Sequence, residues 1–274
     1  MSLRPSWFDV TTRWQMVASV LRWNPSMIPP ALVGAKTVTR AHRLTFFVDE
    51  RSWRDLRSKD LQVTRLLRHV GRSSFTQYAV VTLYGMPVFS LTTTVVAVDD
   101  TLRQPIALPK AHIMRAAMAG QEPRVERIRT MPWSAWAASG GGAEHDDPPA
   151  RAPRPAEAVR SEAVVRWVEC DEFKHMSQSQ YGQLMEEARA LAAASGAFGQ
   201  PEINAAAGLP PVRFYIDYVG QVTPGERLCI YTWWDGQSFC GDMELAGEPG
   251  DGRGRLIATS RVWVAAGESL RPRL

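Results

Sequence analysis

The chain has 274 residues, of which 45% are hydrophobic, and it carries a formal charge of +4 with a pI near 9.1. This length suits two domains of about 100–150 residues each, and no run approaches the roughly 18 apolar residues of a transmembrane helix. No phosphate-binding loop, nucleophile elbow, zinc motif or RNA-binding signature is present, so we expect no cofactor, no metal ion and no nucleic-acid partner.

The first half of the chain has the pattern of one helix followed by an antiparallel meander. Apolar residues recur at helical spacing over residues 9–23, and apolar and polar residues alternate over residues 44–48, as in a strand. The same alternation predicts further strands at 61–70, 75–83 and 88–98. We therefore expect residues 1–109 to form one α+β unit.

Residues 110–159 have the composition of a linker. A short helix is predicted at 111–118, and Gly140, Gly141 and Gly142 follow it. Residues 148–155 are rich in proline and arginine. Glycine runs are flexible and proline-rich runs are extended, so we expect a spacer that connects two units.

The second half begins with an unusual junction of a strand, an acidic turn and a helix. Residues 165–168 are predicted to form a strand that leads into a turn containing Asp171 and His175. A helix should begin near Ser177, which forms a capping-box pattern with Gln180. Its apolar face is predicted to hold Tyr181, Leu184, Met185, Ala188 and Leu191.

A second meander follows that helix, so residues 160–274 are predicted to repeat the order of the first unit. Its strands are expected at 212–218, 228–234, 239–245 and 256–264. The turn at 71–75 is echoed at 236–239, and the start of the last strand at 85–88 is echoed at 254–256. These echoes favour a duplication, in which the first copy lacks an acid followed four residues later by histidine.

The acidic turn and its helix resemble the hotdog-fold thioesterases of the 4-hydroxybenzoyl-CoA and acyl-carrier-protein type. Their pattern is Asp-x-x-Gly-His-Val-Asn-Asn-x-x-Tyr, followed by Glu-Glu-Ala-Arg, and it is matched by Asp171, His175, Tyr181 and residues 186–189. Lys174 stands in place of the glycine, and residues 177–178, Ser and Gln, stand in place of the asparagines. The resemblance implies an α+β fold of two tandem hotdog units, each a long helix packed on an antiparallel sheet.

The resemblance also implies the site residues. Asp171 would act as nucleophile or general base, and His175 would orient the carbonyl or the water. Ser177 and Gln178 would occupy the polar positions of the asparagine pair, and Glu187 is the alternative acid of the family. Each residue has a structural alternative: a turn acid, a core imidazole, a helix cap or a solvated helix charge.

Three functions remain open from the sequence. The first is a thioesterase that hydrolyses an acyl-CoA or an acylated carrier protein in its second half. The second is a catalytically retired thioesterase-like subunit of a large, mitochondrial complex, which would bind other subunits. The third is a module that binds acyl groups without hydrolysis. The arginine-rich, acid-poor start of the chain resembles a mitochondrial transit peptide, but the first hotdog unit needs the helix predicted there. We therefore expect a mitochondrial or cytoplasmic location.

Overall fold

The computed structural model describes residues 33, 35–47, 61–83, 86–99, 104–119, 149, 151–171, 174–247 and 254–264. The helix predicted over residues 9–23 lies outside these residues, as do Val48 and most of the predicted spacer. Among the described residues, no helix has the length and apolar character that a membrane span needs.

Nine strands and three α-helices are found in this part of the chain. The strands are β1 (Lys36–Phe46), β2 (Leu61–Val70), β3 (Ser74–Leu83), β4 (Met86–Val98), β5 (Val159–Val164), β6 (Pro211–Tyr218), β7 (Arg227–Trp234), β8 (Phe239–Leu245) and β9 (Arg255–Val264). The helices are α1 (Ala111–Ala119), α2 (Gln178–Ala194) and α3 (Pro201–Ala207). Most predicted strands are therefore found within two residues of their expected ends, although β1 begins eight residues before Leu44.

All nine strands belong to one antiparallel sheet in the order β2-β3-β4-β1-β6-β9-β8-β7-β5. The order on one side of the β1–β6 contact mirrors the order on the other, because β1, β4, β3 and β2 correspond to β6, β9, β8 and β7. Residues 41–45 of β1 pair with residues 213–217 of β6. We call this contact the seam, since it joins the two halves of the chain into one continuous sheet.

The main hydrophobic core lies between the sheet and α2. It combines fully buried side chains from both halves with residues of α2, among them Leu44, Phe89, Phe214, Ile216, Met185 and Tyr181. A smaller core lies under α1 in the first half and contains Val33, Leu67, Val70, Phe75, Ala97, Leu108 and Met114. The larger core crosses the seam, while α2 itself packs on β5, β7, β8 and β9 of the second half.

The apolar face of α2 differs from its prediction at one end. Tyr181, Met185 and Ala188 are buried as expected, but Leu191 is 49% exposed and Ala192 is buried instead. A helix advances about 100° per residue, so eleven residues complete about three turns and bring Ala192, not Leu191, above Tyr181. Leu191 was predicted on the buried face because its side chain is large and apolar, but the helical period places Ala192 there.

The strand predicted at 165–168 is wrong. β5 ends at Val164, and residues Trp167–Glu169 form one turn of 3-10 helix. The buried Glu169 carboxylate accepts a hydrogen bond from the Arg166 backbone N–H at 2.7 Å and pairs with the Arg166 guanidinium at 2.6 Å. This local pairing gives the Arg166 N–H and the Glu169 carboxylate their hydrogen-bond partners within the turn. Trp167 and Val168 are left exposed.

Residues 151–158 of the predicted spacer pack on the second half, and we call them the strap. Arg151 contacts the Asp242 carboxylate at 2.7 Å, and Arg154 contacts Glu244 at 2.7 Å. The Arg154 guanidinium also stacks over the Tyr231 ring at 4.0 Å. Asp242 is fully buried, so the strap supplies the positive charge that a carboxylate in the interior needs.

Candidate active site at the Asp171 turn

Asp171 closes the turn that precedes α2. Its backbone N–H donates to the His175 carbonyl at 2.8 Å, and its Oδ1 accepts the His175 backbone N–H at 3.2 Å. The Lys174 N–H donates to the Asp171 carbonyl at 3.0 Å. The turn is thus held by its backbone and by the Asp171 carboxylate. The Asp171 side chain is exposed, and His175 is half-buried.

Lys174 adopts a left-handed backbone conformation with φ 62°. This region favours glycine, because a Cβ atom crowds the following carbonyl oxygen and costs about 1–2 kcal/mol. The thioesterase pattern that this segment resembles has glycine at this place, which fits the left-handed backbone found here. The exposed Lys174 side chain puts a positive charge beside the acidic turn.

Ser177 is the N-cap residue of α2, but the predicted capping box is wrong. Its side chain makes no capping hydrogen bond. The Gln180 backbone N–H donates instead to the Ser177 carbonyl at 2.9 Å, and the Ser177 N–H donates to the Glu169 carbonyl at 2.8 Å. Because the backbone makes these contacts, the Ser177 hydroxyl does not serve the helix start.

Gln178, the first residue of α2, reaches across to the first half of the chain. Its side-chain Oε1 lies 3.0 Å from Nε2 of His42 on β1. Its backbone carbonyl accepts a hydrogen bond from the Tyr218 hydroxyl at 3.1 Å. The start of α2 is therefore held at the seam, between residues of both halves.

His42 was not among the residues predicted for the site. It is 2% exposed, and its Nδ1 lies 3.1 Å from the Thr93 hydroxyl on β4. Burial lowers the pKa of His42 to about 4, against the opposing effect of its hydrogen bond with Gln178. The imidazole is therefore neutral at pH 7. The sequence offered one weak signal, a single histidine in a strand otherwise rich in basic residues.

Two tyrosines complete the surroundings of Gln178. The Tyr181 and Tyr218 rings meet edge to face with centroids 5.3 Å apart, and Tyr218 meets His42 in the same way at 5.5 Å. Burial raises the pKa of both phenols above the usual value of 10. Both therefore stay protonated, and Tyr218 acts as a hydrogen-bond donor.

Glu187 lies about two and a half turns along α2 and is half-buried. Its Oε1 accepts a hydrogen bond from the Gln183 side chain at 2.8 Å. The neighbouring Glu186 is the fully buried acid of this helix. Arg189 is also buried and donates to the carbonyls of Ala207 and Leu209 at the end of α3. At least one residue of the matched Glu-Glu-Ala-Arg run therefore has a structural role.

The two halves differ in their acidic residues. Asp99 is the only carboxylate among the described residues of the first half, and its backbone N–H donates to the Gln104 carbonyl at 3.0 Å. Residues 1–119 carry sixteen basic and seven acidic side chains, whereas residues 160–274 carry eleven basic and fifteen acidic ones. Carboxylate side chains are thus concentrated in the second half, and the first half carries the excess of positive charge.

Basic residues gather at one end of the first half, which we call the basic end: Lys36, Arg40, Arg72, Lys110 and Arg115. Lys36 starts β1 opposite the last residue of β4, and Arg72 lies in the β2–β3 turn, where its carbonyl accepts the Leu108 N–H at 2.8 Å. Arg115 on α1 donates to the Val70 carbonyl at the end of β2.

The basic end and the Asp171 turn lie at the same end of the sheet. Arg40 pairs with Asp217 at 2.8 Å and donates to the Tyr218 carbonyl at the end of β6. The Met176 N–H donates to the Val222 carbonyl, just beyond β6, at 2.9 Å. The acidic turn is therefore anchored beside the strand end that Arg40 contacts.

No family model matches the sequence, and no curated protein is similar to it in sequence. Solved structures are similar in fold. An acyl-ACP thioesterase from Bacteroides thetaiotaomicron superposes with a TM-score of 0.58 at 12% identity, covering 90% of this chain and 88% of that one. The 12:0-ACP thioesterase from Umbellularia californica gives 0.59 at 12% identity, covering 93% and 88%.

The chain has the hotdog fold of the thioesterases. The predicted α+β architecture of tandem hotdog units is confirmed by these superpositions and by the mirrored sheet. The peroxisomal multifunctional enzyme type 2 from Drosophila melanogaster also superposes, with a TM-score of 0.52 at 10% identity over 92% of this chain and 40% of that one. One fold carries different chemistries, so the reaction must be argued from the site.

In this hotdog protein the predicted site residues fall into two groups. One group lies in the turn and at the start of α2 and contains Asp171, His175, Ser177 and Gln178. Glu187 lies farther along α2, where it is hydrogen-bonded to Gln183. Within the described residues, no three histidine, cysteine, aspartate or glutamate side chains are grouped so that they could hold a metal ion.

Proposed function

We propose that this hotdog protein hydrolyses the thioester of an acyl-CoA or of an acylated carrier protein at the Asp171 turn. The observation that carries the proposal is an exposed carboxylate in a tight turn that leads directly into α2 at the seam. The start of a helix presents backbone N–H groups that stabilise negative charge. A base and an oxyanion site would thus lie side by side.

The proposed reaction uses water as the nucleophile. The Asp171 carboxylate takes a proton from water while the water oxygen bonds to the thioester carbonyl carbon. The resulting oxyanion is stabilised by donors at the start of α2. When the intermediate collapses, the C–S bond breaks and the Asp171 carboxyl returns its proton to the thiolate, which yields an acid and a thiol.

The other residues of the turn have supporting roles in this proposal. The Ser177 hydroxyl, which caps no helix N–H in the described structure, can hydrogen-bond the water or the carbonyl. His175 follows in the same turn and would orient one of the two. Glu187 is the alternative base, and its contact with Gln183 favours a structural role for it.

The basic end supports an anionic carrier for the acyl group. The phosphates of coenzyme A and the surface of an acidic carrier protein are both attracted by clustered positive charge. Arg40 lies where the basic end meets the site, since it contacts Tyr218 at the strand end beside the turn. The acyl group would therefore enter from the side on which these cations lie.

Thiol release from acyl-CoA and acylated carrier protein of several chain lengths tests the proposal. We expect the Asp171→Asn protein, which keeps the size of the side chain, to lose at least about 100-fold in kcat/KM. Glu202→Gln on the exposed start of α3 is a matched control and should keep the wild-type rate. Equal rates for wild type and Asp171→Asn, or no hydrolysis by either, reject the proposal; acyl-CoA binding without hydrolysis would instead support an acyl-binding module.

A further inference from the structure

We propose that His42, in the half without the acid motif, is a positioning residue that orients the Gln178 amide toward the thioester carbonyl. The inference rests on the proposed function, since it names how one residue of that site is held. Its basis is a chain of hydrogen bonds that starts on β4, crosses β1 and ends at the first residue of α2.

The hydrogen-bond partners of His42 select one tautomer. The imidazole is neutral, so one ring nitrogen donates and the other accepts. Gln178 presents its carbonyl oxygen to Nε2 at 3.0 Å, which requires a proton on Nε2. Nδ1 must then accept a hydrogen bond from the Thr93 hydroxyl, whose oxygen lies 3.1 Å away. The Gln178 oxygen thus determines the direction of both hydrogen bonds, and the Thr93 hydroxyl, which can donate or accept, stabilises that tautomer by donating.

This direction decides how the Gln178 amide is used. Its oxygen is occupied by His42, so its NH₂ group points away from His42, and it has no partner among the described residues. The Tyr218 hydroxyl holds the Gln178 backbone carbonyl from another side. A fixed amide donor at the start of a helix is suited to stabilise an oxyanion.

The environment of His42 argues against a role in packing alone. His42 pairs across the seam with Ile216, a fully buried residue. An aliphatic side chain at position 42 would pack there without the cost of burying two polar nitrogens. The buried imidazole is instead fully hydrogen-bonded between Thr93 and Gln178, as a residue that fixes another side chain should be.

A double-mutant cycle tests the inference through kcat. Gln178→Met removes the amide and should lower kcat about 100-fold. Thr93→Val removes the hydroxyl but keeps its shape, and should lower kcat several-fold with little change in KM, whereas Thr93→Ser should restore the wild-type rate. In the Gln178→Met background, Thr93→Val should have no further effect, because its action passes through Gln178. Thr92→Val, on the opposite face of β4, is the matched control.

Equal losses from Thr93→Val in both backgrounds, or a change in thermal stability alone, would overturn the inference. It fails by itself if Asp171→Asn abolishes hydrolysis while Thr93→Val and His42→Gln keep the wild-type kcat. Activity is not the only measurement: ¹⁵N NMR of the His42 ring in the full chain should show the proton on Nε2. A proton on Nδ1 would contradict the proposed orientation whether or not the protein hydrolyses a thioester.

Discussion

Lys174 has a backbone conformation that is unfavourable for a residue with a Cβ atom. Its φ of 62° suits glycine, so Lys174→Gly should relieve strain and stabilise the protein by about 1 kcal/mol, less the greater flexibility of glycine when unfolded. Urea unfolding measures the change. Lys174→Ala keeps the Cβ atom and should give no such gain. A loss of stability in the glycine variant would mean that the side chain, not the backbone, holds the turn.

His42 should make folding sensitive to mild acid. Its pKa is about 4 in the folded protein, against the ordinary histidine value of 6.5, so the unfolded chain binds the proton more tightly. The contribution of neutral His42 is therefore present above pH 6.5 and is lost as the pH falls toward 4, by on the order of 2–3 kcal/mol. Stability of wild type and His42→Gln, measured by urea unfolding across this range, should diverge in slope. Parallel curves would contradict the burial of a neutral imidazole.

At the level of elements, the strands could be predicted because short runs rich in apolar residues are separated by turns rich in glycine and aspartate. This composition is a local property, and the ends of β6, β7 and β8 fall within a residue of the predicted ones. The turn before α2 could not be predicted in the same way. Its shape depends on the pairing of the Arg166 backbone and side chain with the Glu169 carboxylate, and on the Ser177 N–H that donates to the Glu169 carbonyl.

The site shows the same limit. Asp171, His175 and Gln178 could be proposed for the site because a sequence pattern marks their positions. His42 could not, because nothing along the chain links β1 to the start of α2, and their contact exists only when the two halves share a sheet. Hydrogen bonds between residues 136 positions apart leave no local periodicity that a sequence pattern could reveal.

The strap is an element whose stabilising effect can be measured directly. Arg151→Gln leaves the buried Asp242 without its nearest cation, so we expect a loss of about 1–3 kcal/mol, reduced because the arginine is half exposed. Asp242→Asn in the same background should recover part of the loss. Arg227→Gln, in an exposed pair with Glu162, is the control and should change stability much less, because solvent screens the pair. Similar losses for Arg151→Gln and Arg227→Gln would contradict this account of the strap.

On the scale of the whole molecule, the uneven charge of the halves predicts how the substrate is recognised. Arg72→Glu with Arg115→Glu should raise the KM for acylated carrier protein or acyl-CoA several-fold, with kcat unchanged, because these cations attract the carrier. The KM of the wild type should also rise with salt. A short acyl thioester without phosphates should show neither effect.

Arg160→Glu, on the outer strand β5, is the control for that experiment. It makes the same kind of charge change at the far edge of the sheet, where Arg160 pairs with Glu162. If it raises the KM as much as the double variant does, total charge and not the basic end governs binding.

The seam also determines how the site responds to dilution. Five residue pairs join β1 to β6, and the His42–Gln178 contact crosses the same boundary. In two separate chains these contacts would form only at a sufficient protein concentration. Here one polypeptide carries both halves, and such a linkage gives the partner an effective concentration that can reach the order of millimolar. The two halves thus meet as an intramolecular event, at any concentration of the protein itself.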